Sequence, residues 1–333
     1  MTSSLVSQRF VARCDERYKM LVSVIIATYN YGKYLRESIA SALYQTVPPD
    51  EIIVVDDGST DETSEIVRPF LSRSRVRYLR TDNRGVSNAR NLGIQHSTGE
   101  IIAFLDADDV WRRDKLELQL PLFSDPTVGV VYSLQEMFDE NGTVSHRHAK
   151  VFRGDVLRAL MTHNIVCFSS AMVRRGCLDR VGIFDERYAP SEDYDLWLRI
   201  AAEGYAFDYI DKPLVRRRVG HVSASDSVQT RRESLRRLHH HFFRDPKYRQ
   251  RVTPRMKRLA WGASFSKEGC WHYEQGRRMH SLYVYLRALW HDPSLAMAWR
   301  GVAKCVLPRA LVAELRCRVE PTEDGWASPK HDQ

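Results

Sequence analysis

No stretch of the 333 residues strings together the roughly 20 apolar positions that a helix needs to cross a bilayer. The opening residues 1–19 lack the apolar core of a secretory signal and read as a polar lead-in arm. The six cysteines, at 14, 167, 177, 270, 305 and 317, form no CxxC pair. That argues against a thiolate zinc site and for a reducing compartment, so a cytoplasmic protein is expected. No GxGxxG follows an apolar run, and no GxxxxGK(S/T) occurs. A dinucleotide-binding fold and a P-loop are both disfavoured. A nucleotide bound here must meet its phosphates with a metal rather than with a glycine loop.

Positive charge, by contrast, is abundant in one place. Residues 212–258 carry fifteen Lys/Arg against three Asp/Glu, while the rest of the chain carries 35 against 39. Such a segment suits an anionic surface: lipid headgroups, a pyrophosphate-linked acceptor or nucleic acid. It equally suits a solvated helical face. Hydrophobic residues make up 43% and charged residues 28%, as in ordinary soluble globular proteins, and the length accommodates one large domain with an extension, or two domains.

Residues 101–105 are five apolar positions in a row, the signature of a strand buried on both faces. Asp106, Asp108 and Asp109 arrive where that strand must end. An unpaired charge cannot stay in a strand core. These acids therefore belong at the carboxyl end of the strand, where open α/β sheets bind ligands. Asp106 and Asp108 are two apart and point the same way in extended chain, which suits a hard divalent cation. The competing reading is a solvated acidic turn with Asp109 capping a helix. Two further apolar runs, 21–26 and 51–55, end likewise in polar or acidic residues, Thr28/Asn30 and Asp56/Asp57. Helical spacing follows from Leu35 to about Gln45, and Ser59 with Glu62 reads as a capping box. Strands are also expected at 76–79, 128–132, 167–173 and from Val215, and helices at 86–95 and 112–126. Alternating strands and helices predict an α/β fold with a mostly parallel sheet whose strand ends share one cleft.

Residues 190–201 combine an apolar face (Leu196, Trp197, Ile200, Ala201) with Glu192 and Asp193 at the amino end. A helix dipole favours carboxylates there, so a plain capped helix fits as well as a functional tip. His221 sits in a loop, either solvated or a ligand.

Five segments together resemble the family 2 glycosyltransferases: SVIIATYNYGKYLRESIASALYQT at 23–46, EIIVVDDGSTDET at 51–63, NRGVSNARNLGI at 83–94, TGEIIAFLDADDVW at 98–111 and SEDYDLWLRIA at 191–201. The resemblance covers about 21–225. It implies the GT-A fold, a Rossmann-like sheet flanked by helices, here with an α-helical C-terminal extension. It implies an inverting transfer from a nucleotide-diphosphate sugar, by default a UDP-sugar, to a glycan or lipid-linked hydroxyl, as in the building of a surface polysaccharide. By motif, Ala27, Thr28, Tyr29 and Asn30 line the nucleotide pocket, Asp57 contacts the base with Asp56 beside it, and Arg84 and Arg90 lie near base and ribose. Asp106 and Asp108 form the DxD-type pair that holds Mn²⁺ or Mg²⁺, with His221 a looser metal contact. Asp193 matches the general base and Glu192 its companion. No QxxRW-type motif or membrane helix is present, which fits one sugar per acceptor rather than processive polymerisation.

Four parts are therefore expected: an arm at 1–19, a catalytic domain at 20–225, a helical basic region at 226–318 and a disordered tail at 319–333. Within 269–293 lies a faint likeness to one tetratricopeptide-type helical hairpin, and 295–318 reads as an amphipathic basic helix able to meet a membrane surface. Two other readings compete. A nucleic-acid-binding protein explains the basic segment but not three polar strand ends. A nucleotidyltransferase also uses paired acids, but no basic pyrophosphate loop is evident.

Overall fold

The computed structural model describes residues 20–142, 144–146, 150–220 and 228–307. The expected arm at 1–19, His221, the tail at 319–333 and the second half of the amphipathic helix at 295–318 lie outside the described residues. In chain order the elements are β1 (Val22–Thr28), α1 (Gly32–Leu43), β2 (Glu51–Asp56), α2 (Thr63–Val67), β3 (Val76–Arg80), α3 (Val86–His96), β4 (Ile101–Asp106), β5 (Val110–Trp111), α4 (Lys115–Gln119), β6 (Val128–Phe138), β7 (Val144–His146), α5 (Leu157–Leu160), β8 (Met172–Arg174), α6 (Arg175–Val181), α7 (Glu192–Glu203), β9 (Ala206–Arg218), α8 (Val228–Phe242), α9 (Pro254–Glu274), α10 (Arg278–His291) and α11 (Ala296–Val306).

The first strands are apolar without alternation because both faces are covered. Ile25, Ile102 and Phe104 point into one core with Ile94 of α3 and Trp197 of α7. Val24, Ile26, Ile101, Ala103 and Leu105 point the other way, onto Leu35, Ile39 and Ala42 of α1. The sheet runs β3-β2-β1-β4-β8-β6-β9-β5, with β7 paired to β6. β3, β2, β1 and β4 are mutually parallel. Their register sets Thr28 opposite Asp56 and Ala27 opposite Asp106, so the polar strand ends do share one edge.

Beyond β4 the sheet is mixed rather than parallel: β8 lies antiparallel to β4 and β6, and β5 antiparallel to β9. The strand expected at 167–173 is mostly a 3₁₀ turn, Phe168–Ser170, with β8 following it. Ser169 and Ser170 hydrogen-bond to the Asp109 carboxylate and the Cys167 carbonyl, contacts that draw this backbone out of a ladder. The Ser59–Glu62 capping box does not form. Glu62 is the N-cap of α2 without a side-chain bond, and the Ser59 hydroxyl instead accepts the Asn30 N–H at 2.9 Å.

Leu238 and Phe242 of α8, Tyr248, Val252 and Ala260 of α9 are buried in the same core as Trp197. Farther along, Phe265, Val284, Tyr285, Ala288, Leu289 and Ala298 close a small separate core among α9, α10 and α11. Much of the basic excess is spent inside the chain. Arg232 and Arg236 both clasp Glu268, Lys247 meets Glu203 at 3.4 Å, and Arg251 meets Asp155 at 2.8 Å. That pattern disfavours a nucleic-acid interface. Among the described residues no helix is long and apolar enough to cross a membrane.

Candidate active site

The acidic end of β4 is a built turn. Ser38 of α1 donates from its hydroxyl to the carbonyls of Ala107 and Asp109, 2.7 Å each. The Asp109 N–H donates to the Asp106 carbonyl at 3.1 Å. One carboxylate oxygen from each of Asp106, Asp108 and Asp109 lies within 4.8 Å of the others. Asp106 and Asp108 are half-buried, whereas Asp109 is buried, so the turn is not a solvated one. Nor does Asp109 cap a helix, since Asp114 takes that place for α4. Its carboxylate accepts the Ser169 hydroxyl at 2.6 Å and the Arg218 N–H at 3.1 Å. Burial, then the charges of Asp108 and Asp106, push its carboxyl well above the ordinary range.

The tip of α7 faces this turn across one guanidinium. Buried Arg90, from α3, donates to Glu192 Oε1 at 2.5 Å and to Asp106 Oδ1 at 2.9 Å. Its Cζ lies over the Phe168 ring, 3.7 Å from the ring centre. An arginine suits this place because its rigid fork serves two carboxylates while its face stacks on an aromatic. Asp193, next to Glu192, is half-buried. It accepts Asn164 Nδ2 at 2.8 Å and the Tyr194 N–H at 2.7 Å. Burial and the neighbouring Glu192 charge raise its carboxyl to about 7, against the opposing pull of Arg90. Glu192 Oε2 is buried with no hydrogen-bond partner among the described residues.

On the other side of the edge the expected pocket residues divide. Asp56 gives its oxygens to its own chain: the Ser59 N–H at 2.7 Å, the Tyr78 hydroxyl at 2.5 Å and Arg80 Nη1 at 2.8 Å. Asp57 accepts the N–H groups of Arg84 and Gly85 at 2.8 and 2.7 Å, holding the turn that opens α3. Asn30 has a left-handed backbone, φ 57°, a conformation its short polar side chain supports by accepting the Thr60 N–H at 2.8 Å. Ala27 is half-buried, Thr28 is buried with its hydroxyl unpartnered among the described residues, and Tyr29 and Arg84 are exposed. The structure thus gathers Asp106, Asp108, Arg90, Glu192 and Asp193 around one link, and sets Thr28, Asp56 and Asp57 along the same strand edge.

Sequence reasoning missed Ser38, Asn164, Phe168 and Ser169, and gave Asp109 only a capping role. Ser38 and Asp109 stand in motif-like strings, whereas Asn164, Phe168 and Ser169 do not. Lys115 was missed too: it is fully buried, its ammonium sits 4.2 Å from the centre of the Trp111 ring without a hydrogen-bond partner among the described residues, and burial lowers its pKa to about 7.

Residues 23–182 match the family described as Glycosyl transferase family 2. An uncharacterised glycosyltransferase of Rickettsia typhi is 30% identical over 230 residues, covering 66% of this chain and 71% of that protein. The chain belongs to glycosyl transferase family 2. It spans about a third or less of the first curated relatives it matches, Rickettsia proteins 33–34% identical whose lengths it covers to 26–33%. The architecture of this family 2 chain, a curled mixed sheet between helices with a helical C-terminal region, is the GT-A fold. Residues 1–349 of Staphylococcus aureus TarS share it with a TM-score of 0.60 at 21% identity, over 92% of this chain and 94% of that one. A mannosyltransferase from Pyrobaculum calidifontis, solved with GDP-Man and Mn²⁺, shares it at 0.57 and 24% identity, over 90% of this chain and 80% of that one.

Proposed function

We propose that the chain is an inverting glycosyltransferase that moves one sugar from a nucleotide-diphosphate sugar to a hydroxyl of a glycan or lipid-linked acceptor. The observation that carries this reading is the Arg90 bridge, which ties the acidic turn at Asp106 to the α7 tip that bears Asp193. One part suits a donor and the other an acceptor. TarS has been solved with UDP and with UDP-GlcNAc, and the Pyrobaculum enzyme with GDP-Man, so a UDP-sugar stands first and a GDP-sugar second.

The donor set at the turn fits Mn²⁺ or Mg²⁺. It is all carboxylate oxygen, three groups within 4.8 Å of one another, and a dication relieves the repulsion among them. Asp108 and Asp106 would hold the ion, with Asp109 anchoring the turn beneath them. When bound, such a cation neutralises charge on the departing diphosphate. Asp193 takes the proton of the acceptor hydroxyl as that oxygen bonds to the anomeric carbon. The bond from that carbon to the diphosphate breaks on the opposite face, so the configuration inverts and no second carboxylate is needed as a nucleophile. Asn164 fixes the direction of the Asp193 carboxylate, and Arg90 holds Glu192 beside it.

A thermal-shift panel of nucleotide sugars with Mn²⁺ or Mg²⁺, followed by release of nucleoside diphosphate on acceptor addition, tests the proposal. A ligand at a hundredfold its Kd should stabilise the fold by about 2.7 kcal/mol. Asp108→Ala should remove the metal-dependent part of that gain. No shift with any nucleotide sugar, or an unchanged metal requirement in Asp108→Ala, would overturn the reading.

A further inference from the structure

Helix α10 carries Met279, Tyr283, Leu286 and Trp290, spaced by four, three and four residues, so they fall on one line along the helix. All four are exposed, Met279 by 80% and Trp290 by 86%, on the side opposite the one that Val284, Tyr285, Ala288 and Leu289 bury in the small core. Helix α11 adds exposed Trp299 and Val306. Soluble surfaces rarely leave an apolar line of this size uncovered.

The charge around the line says what covers it. Residues 277–307 hold Arg277, Arg278, Arg287, Arg300 and Lys304 against a single acid, Asp292. Arg287 is exposed and lies 5.8 Å from the Tyr283 ring. Two copies meeting through this face would bring like charges together. An anionic lipid surface answers both features: Trp and Tyr settle at the headgroup boundary, Leu and Met enter the acyl edge, and the cations meet phosphate. We propose that the α10–α11 face docks the protein on an anionic lipid surface. The docking does not depend on the sugar, the metal or the transfer step.

Flotation of the full chain with vesicles tests it, using phosphatidylglycerol mixed with phosphatidylcholine and, in parallel, phosphatidylcholine alone. The protein should float with the anionic vesicles and not with the neutral ones. The double substitution Leu286→Gln with Trp290→Gln leaves every charge in place and should weaken retention by about tenfold or more, with the melting temperature unchanged. Retention equal to the parent would assign binding to the basic residues alone and overturn the proposal. So would absence of flotation, or a dimer in sedimentation velocity that the double substitution dissociates, which would give the face to a second copy.

Discussion

At Asp193 two demands meet on one carboxylate. As the proposed base it must be charged to accept a proton, yet burial and Glu192 push it toward the neutral form, to about 7. A base works best when its pKa lies near the operating pH, because a more acidic group attracts the proton too weakly. The Asn164 amide and the Tyr194 N–H then direct the lone pair without abolishing that basicity. Asp193→Asn keeps the shape and removes the base. Turnover should fall about 10²–10⁴-fold while the nucleotide Kd from calorimetry stays put. Equal losses in both would strip Asp193 of this role. In the parent, kcat/KM should fall about tenfold per pH unit below pH about 7, an acid limb far above the ordinary carboxylate range near 4. Lys115 offers the converse case, a charge that burial opposes and no hydrogen bond answers among the described residues. Its folded pKa is depressed, so between about 7 and the ordinary value near 10.4 the unfolded chain holds a proton that the native one has lost. Stability therefore rises with pH through that window. Lys115→Met should flatten this slope in urea titrations and stabilise the protein at neutral pH by about 1–4 kcal/mol. A destabilised variant would mean that the ammonium serves a contact the geometry does not reveal.

Elements explain how acids far apart in the chain become one site. β1 and β4 are level at Ala27 and Asp106 because their apolar runs pair residue for residue, and α3 then carries Arg90 to the gap before α7. Arg90→Met should leave Glu192 and Asp106 unmet and cost roughly 3–5 kcal/mol in denaturant unfolding. A loss below about 1 kcal/mol would show that water already satisfies those carboxylates. Much of this arrangement was legible. An apolar run that stops at polar or acidic residues has few places to go, and that logic found the edges at Thr28, Asp56 and Asp106, whereas the tip of α7 read equally as a plain capped helix until the resemblance singled it out. What was not legible lies in chain without a period. Asn164, Phe168 and Ser169 act through contacts 29 to 78 residues away in sequence, in a segment whose 3₁₀ turn sets Ser169 against Asp109. The capping box at Ser59 failed for the same reason: a tertiary partner, the Asn30 N–H, won the hydroxyl. β9 was read only from Val215 because Pro213 and scattered charges break its pattern, yet β6 pairs with it along its length.

At the scale of the molecule, α9 ties two cores together. Its Ala260 shares a core with Trp197 of α7, and five residues later Phe265 starts the core shared with α10 and α11. That second core has one crowded centre, the ring of Tyr285, flanked by Gly269 and Gly301. A Cβ on Gly301 would sit 2.1 Å from the ring, and one on Gly269 2.8 Å away. The glycines let three helices close on a single buried aromatic, so the layer depends on the absence of two methyl groups. Gly301→Ala adds one of them. It gains about 1 kcal/mol of helix propensity but must displace the ring, and overpacking of this kind costs about 1–3 kcal/mol. Loss should win, because the clash is with the ring body rather than with the end of a flexible side chain. Hydrogen exchange reads where the loss goes. Amides of α10 and α11 should open sooner, while those of β1, β2 and β4 keep their protection, since the sheet has its own cores on both faces. Equal loss of protection in the sheet would mean that α9 transmits the strain and the two cores melt together, with the α7 tip and Asp193 drawn into the same unfolding step.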